Sequence, residues 1–268
     1  MRKILQFRGT SISYLLKGHS EPTIVLLHGN SLSSYSFQAQ FEDNALDAFT
    51  LLSIDLPGHG DSPPAADAQI TYNLFFFRDL IIYTLQFLGI NNFIFAGHSL
   101  GGHVAIECLP YTNGCRGLFL WGAPPVKLPL KTETIFKPSL SAGMLFNADL
   151  SPDEINQLST LLTSKRHKHK LSGMIANTDP AFRKFFPISL VNGQVSDEYF
   201  LLKESKLPVA IIHGDKDDLI NAGYYTYLDL PTLWQNRIII IKKAFHIPHL
   251  EQPKIFNPLL KQFATDYL

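Results

Sequence analysis

Three residue types that together can make a nucleophile of a hydroxyl occur here in one order: Ser99, an aspartate within 215–218, and His246. Each lies just beyond a stretch that reads as a β-strand. A serine hydroxyl attacks a carbonyl at neutral pH only when a base accepts its proton as the bond forms. Histidine is the usual base, because its unperturbed pKa lies near the working pH. A carboxylate on the far ring nitrogen then selects the tautomer and stabilises the imidazolium. Ser99 occupies Gly97-His98-Ser99-Leu100-Gly101, between an apolar run at 93–96 and a helical run at 103–109. A strand, Gly-x-Ser-x-Gly and a helix in succession make a sharp turn that lifts the hydroxyl clear of a sheet. Gly97 and Gly101 lack the Cβ atoms that such a turn would crowd.

Among ten histidines, His246 is the best-placed base, since it follows the last predicted strand and opens a loop; His249 is the runner-up. His28, His59, His98, His103 and His213 are expected to be structural, the first and third donating to backbone carbonyls. Asp215, Asp217 and Asp218 compete for the acid. Asp217 is preferred, because a few residues must clear the strand before a side chain can fold back toward the base. Asp215 can instead cap the turn. A tetrahedral intermediate also needs two hydrogen-bond donors where its oxygen charge develops. The backbone N–H of Leu100 is one, and the loop after the 23–27 strand supplies the other, best from Asn30.

The elements that must position these residues alternate. Residues 3–7 and 11–17 read as a strand pair across Gly9. The runs 23–27, 51–54, 93–96 and 118–121 read as strands buried on both faces, with helices at 35–48, 72–88 and 103–109 between them. Strand–helix alternation implies an α/β fold, a mostly parallel sheet with helices on both faces. Its crevice lies beyond the carboxyl ends of the strands, where His28, Asp55 and Ser99 all fall. From 126 to 206 strand signals fade and helical segments such as 152–162 dominate. This reads as a helical cap (126–206) inserted in a core made of 1–125 and 207–268. Its phenylalanines, Phe136, Phe146, Phe182, Phe185 and Phe186, are expected to form a small core, with some facing a substrate. Strands resume at 209–212 and 238–241, and a closing helix is predicted to start at Pro258 with Asn257 as its cap.

Hydrophobic residues make up 46% of the 268-residue chain and charged residues 17%, which predicts a large core and excludes disorder. Lys+Arg and Asp+Glu are 23 each, so charge offers nothing for nucleic acid or an anionic membrane surface. The one basic cluster, 165–170, reads as a solvated helix face or loop. Two cysteines, Cys108 and Cys115, suit neither a disulfide framework nor a zinc site. A cytoplasmic setting is the simplest expectation. No signal peptide is evident, and the most apolar segment, 74–90, carries Arg78 and Asp79 and is short for a bilayer.

His28-Gly29-Asn30, Asp55-Leu56-Pro57-Gly58-His59-Gly60, Gly97-His98-Ser99-Leu100-Gly101-Gly102, Gly214-Asp215-Lys216-Asp217 and His246 with Pro248, Glu251 and Pro253 resemble the α/β-hydrolase superfamily with a helical cap. The match spans nearly the whole chain outside the cap. It implies a Ser99–His246–Asp217 triad and an oxyanion hole from Asn30 and Leu100. His28-Gly29-Asn30-Ser31 and Gly122-Ala123-Pro124-Pro125-Val126 are further similar to metal-independent N-acyl homoserine lactone hydrolases. The expected reaction is hydrolysis of a small-molecule carboxylic ester or lactone through an acyl-enzyme, with no metal and no organic cofactor. Haloalkane dehalogenases and epoxide hydrolases of this fold use an aspartate nucleophile, which Ser99 argues against. Cofactor-free haloperoxidases, C–C bond hydrolases and ligand receptors that keep the hydrolase pocket are the alternatives.

Overall fold

Strands Thr23–Leu27 (β3), Thr50–Ile54 (β4), Phe93–His98 (β5) and Val209–Gly214 (β7) are buried along their whole length. Strands of this kind need cover on both faces. In the computed structural model, which describes residues 2–268, they join Arg2–Phe7 (β1), Thr10–Lys17 (β2), Cys115–Trp121 (β6) and Ile239–Ile241 (β8) in one eight-stranded sheet. Its order is β1-β2-β4-β3-β5-β6-β7-β8. β1 and β2 pair antiparallel, as do β2 and β4, and every pairing from β4 to β8 is parallel.

Successive side chains of a strand point to opposite faces, and the core divides accordingly. Val25, Leu27, Phe93, Phe95, Leu118 and Leu120 pack on one face with helices Leu74–Leu88 and Leu100–Glu107. Ile24, Leu26, Ile94, Ala96, Phe119 and Trp121 pack on the other with Phe256, Leu260 and Phe263 of helix Pro253–Tyr267. Because the strands from β3 to β8 run parallel, their carboxyl ends share one rim. The pairs Leu27↔Gly97, His98↔Trp121 and Gly214↔Ile241 mark that rim.

Between β6 and β7 the named elements are all helices: Thr132–Ile135, Leu140–Met144, Pro152–Leu162, Lys168–Ala176, Pro180–Val191 and Glu198–Ser205. Polar seams hold this segment to the rest of the chain. The Tyr72 hydroxyl bonds the Asp179 carboxylate. Buried Glu198 accepts from the Val126 N–H at 2.8 Å and pairs with His103 Nδ1 at 2.8 Å, so helix Leu100–Glu107 grips both ends of the segment. The phenylalanines serve these seams too. Phe182 is fully buried against Tyr72, Phe77 and His59, and Phe186 packs beside it.

Two expected helices differ. The 35–48 helix is instead 3-10 turns at Ser34–Phe37 and Asn44–Leu46 around one α-turn at Gln38–Phe41. The Asp43 carboxylate takes the Ala45 N–H at 2.9 Å and starts a new turn, which competes with helix continuation. The closing helix begins at Pro253 and runs through Pro258. Asn257 is therefore not its cap; buried inside the helix, it bonds Gln40, the Ala39 carbonyl and Asp43. Those tertiary bonds hold the helix through a position where proline forfeits one backbone bond.

Phe263, fully buried between Phe119 and Trp234, carries much of the packing behind β6. Phe263→Ala is expected to cost about 3–5 kcal/mol, read as a lower urea midpoint at unchanged denaturant slope.

Candidate active site

Ser99 stands at the turn from β5 into helix Leu100–Glu107 with φ 49° and ψ −118°, outside the regions a side-chain-bearing residue prefers. Three backbone bonds hold it there. Its N–H donates to the Trp121 carbonyl at 2.9 Å, and its own carbonyl accepts from Gly102 and His103. A Cβ on Gly97 would lie 2.5 Å from Gly102 Cα, which is why the elbow needs glycine at that place.

His246 follows β8, and its Nδ1 lies 2.9 Å from Asp217 Oδ2. A carboxylate facing Nδ1 makes that nitrogen the proton carrier and leaves Nε2 with the lone pair. Asp217 is buried, whereas Asp215 and Asp218 are exposed. The Leu219 and Ile220 N–H groups fill its other oxygen at 2.8 and 3.1 Å. Burial opposes charge on Asp217, but the His246 ring and these donors outweigh it, and its pKa falls below the usual carboxylate range. Asp215 instead accepts from the Lys243 N–H at 2.6 Å and ties the β7 loop to the β8 loop.

A ring of neutral side chains supports His246. His98 Nε2 faces the His246 carbonyl at 2.9 Å and must donate to it. The His98 ring stacks on Trp121, whose indole N–H donates to His249 Nδ1 at 2.9 Å. Indole only donates, so His249 carries its proton on Nε2. Glu251 bridges two segments: one oxygen takes the Phe245 N–H beside His246, the other the Ser164 N–H of the helical segment, both at 2.7 Å. Gly122 leaves room for the His246 ring; a Cβ there would lie 2.6 Å from His246 Cε1.

Ser99, His246 and Asn30 line one small cavity with His98, Leu32 and Ile247 from the core and Leu145, Leu162, Leu171 and Ile175 from the helical segment. Leu100 is buried immediately after the serine, at the start of its helix. Asn30 follows β3; its Nδ2 donates to the Leu145 carbonyl at 3.1 Å, and its Oδ1 accepts from the Ser31 hydroxyl at 2.8 Å. Apart from Asn30, His98, Ser99 and His246, the wall is aliphatic. None of the five phenylalanines expected to include substrate contacts is among its lining residues. Leucines and isoleucines on helices carry no sequence signal that separates a pocket wall from ordinary core. Asp55, at the same rim, is occupied with Arg2 and the Ser34 N–H and is a loop brace. His28 donates to the Gly29 carbonyl and accepts from the Leu56 N–H, which joins the β3 and β4 loops. Cys108 and Cys115 are free and buried. No helix among the described residues is long and apolar enough to cross a membrane.

The chain belongs to the alpha/beta hydrolase family, whose model matches residues 24–259. It is 26% identical over 257 residues to the AB hydrolase superfamily protein YisY of Bacillus subtilis, covering 92% of this chain and 93% of that protein. N-acyl homoserine lactonase AidH complexed with N-butanoyl homoserine superposes with a TM-score of 0.94 at 25% identity, over 99% of this chain and 97% of that one. An esterase from Exiguobacterium antarcticum superposes at 0.81 with 18% identity, over 99% and 100% of the two chains.

The histidines around the site set its acid stability. Burial holds His28, His59, His98, His213 and His249 below the ordinary histidine pKa of 6.5. Below that pH the unfolded chain takes up protons that the folded chain refuses. Each such histidine then removes up to about 1.4 kcal/mol of stability per pH unit. His103 opposes this: burial works against its charge, but Glu198 draws its pKa upward on balance. Burial also raises Glu107 and Glu251, which protonate first in the folded chain as pH falls and offset part of the histidine loss. The urea midpoint should therefore fall steeply from pH 7 to 5.5; a flat or rising profile over that span contradicts the neutral ring.

Proposed function

We propose that this protein is a serine hydrolase that cleaves a carboxylic ester or lactone through an acyl-enzyme at Ser99, with residues 126–206 acting as the cap of its site. The observation that carries this reading is the buried 2.9 Å bond between Asp217 and His246 Nδ1, behind a ring that shares a cavity with a serine on a strained elbow. In the proposed mechanism His246 Nε2 takes the hydroxyl proton as Ser99 Oγ bonds to the carbonyl carbon. That contact is one that commonly tightens only in the substrate complex. The tetrahedral oxyanion is held by the Leu100 N–H and by Asn30. Its collapse breaks the acyl–oxygen bond, and the imidazolium returns the proton to the leaving oxygen. Water then attacks the acyl-enzyme by the same route and frees the acid. For a lactone the leaving oxygen stays tethered to the acyl group, so one ring-opened molecule departs.

The aliphatic wall suits an acyl chain, and the likeness to a lactonase that binds an N-acyl homoserine makes N-acyl homoserine lactones the first substrates to try. A series of p-nitrophenyl esters and acyl homoserine lactones of graded chain length tests the reading, with Ser99→Ala as control. Wild-type turnover equal to that of the control would favour a receptor that has kept the pocket. Asp217→Asn is expected to lower kcat by roughly ten-thousandfold through the wrong imidazole tautomer, while Asp218→Asn leaves it near wild type. Activity should survive EDTA, and its loss on chelation would point to different chemistry.

A further inference from the structure

Arg183, on helix Pro180–Val191, is a buried cation that the proposed reaction does not use; it is only 3% exposed. Its hydrogen-bond partners are the Asn147 carbonyl at 3.1 Å, the Ile175 carbonyl at 3.3 Å and the Ser31 hydroxyl at 3.3 Å. None is a carboxylate. Asp179, whose charge favours the guanidinium from further off, is engaged with Tyr72. Placing a guanidinium in such surroundings is costly unless its donors are used, and one of them is aimed at the loop that holds Asn30.

The polarity of that contact propagates. Guanidinium donates and cannot accept, so Ser31 Oγ receives the Arg183 N–H with a lone pair. The Ser31 proton is thereby free to point elsewhere, and it donates to the Asn30 side chain at 2.8 Å. Because the Leu145 carbonyl can only accept, the Asn30 atom facing it is the NH2 and the atom facing Ser31 is the amide oxygen, which the Ser31 proton holds in place. The NH2 group is turned the other way, where one N–H donates to the Leu145 carbonyl in the cavity wall. Its second N–H remains for a substrate oxygen. Ser31 itself has φ 57°, a left-handed conformation that a serine keeps only when its surroundings impose it.

The geometry points to Arg183 as a positioning residue that, through Ser31, locks the Asn30 amide with its NH2 toward the substrate. This rests on the reading of Asn30 as an oxyanion-side donor. Arg183 and Leu145 both belong to the 126–206 segment, whereas Asn30 and Ser31 belong to the core. The amide is thus gripped from both ends by the cap, and this donor is oriented only while the cap is seated.

The test is a double-mutant cycle of Ser31→Ala and Arg183→Met on a p-nitrophenyl ester. Ser31→Ala removes the middle of the relay by deleting a single oxygen atom, without changing the backbone or adding bulk. It should lower kcat roughly tenfold, the value of one oriented hydrogen bond, with KM changed less than about twofold. Arg183→Met should lose a similar factor and Arg183→Lys should recover most of it. The double variant should be no worse than either single. A trifluoromethyl ketone, which forms an oxyanion on the serine, should bind more weakly by the same factor as kcat falls. Wild-type kcat in Ser31→Ala, or losses that multiply in the double variant, would overturn the relay. A second measurement needs no turnover: 15N NMR of the Asn30 side-chain NH2 in the Ser99→Ala protein. Adding Ser31→Ala should speed its solvent exchange by at least about tenfold; unchanged exchange refutes the relay even if the protein proves to have no esterase activity.

Discussion

A carboxylate held away from water must be answered on every side, and Asp217 imposes that condition on the architecture. One oxygen is met by two backbone N–H groups of its own loop and the other by the His246 ring. Removing one partner from a buried charge of this kind typically costs about 3–5 kcal/mol. The bond requires the loops after β7 and β8 to lie side by side, and parallel pairing of those strands brings them there. The same parallelism, continued through β6, β5 and β3, delivers the serine elbow and the Asn30 loop to the same edge. The outlying antiparallel strands β1 and β2 extend the sheet on the far side and contribute no residue to the cavity wall.

Around this pair the protein has assembled side chains that bond without charging. His98, Trp121 and His249 form a stacked, hydrogen-bonded series behind His246, and burial pushes the pKa of both histidines well below the ordinary value. A positive charge there would compete with the imidazolium that the proposed reaction must form. Glu251 adds a different constraint, because its two oxygens join the residue next to His246 to the helical segment above. His246 is thus fixed from below by rings and from above by a carboxylate clasp.

How much of this was legible in the sequence follows from the range of the forces involved. The elbow was readable because its requirement is local: a glycine where a Cβ would strike backbone, a strand before it and a helix after it. Buried strands were readable as continuous apolar runs, and their order of use placed the rim. The choice among Asp215, Asp217 and Asp218 rested on loop placement; of the three, Asp217 is the one whose carboxylate bonds the His246 ring. The 35–48 region failed because Asp43 offers the backbone a competing partner, which composition does not reveal. The closing helix was started five residues late because Asn257-Pro258 has the form of a cap while its actual bonds reach across to 39–43. The link between Arg183 and Ser31 was invisible for the same reason, since it spans 152 positions and has no local signature.

One bond has a mechanical meaning beyond its energy. His98 precedes the serine by a single peptide link, and its ring grips the main chain of His246 across 148 positions of sequence. The two halves of the proposed proton transfer are therefore bolted to a common chassis rather than mounted on separate loops. That bond ties the His246 main chain directly to the residue before Ser99, so the spacing of the two does not depend on the surrounding turns alone.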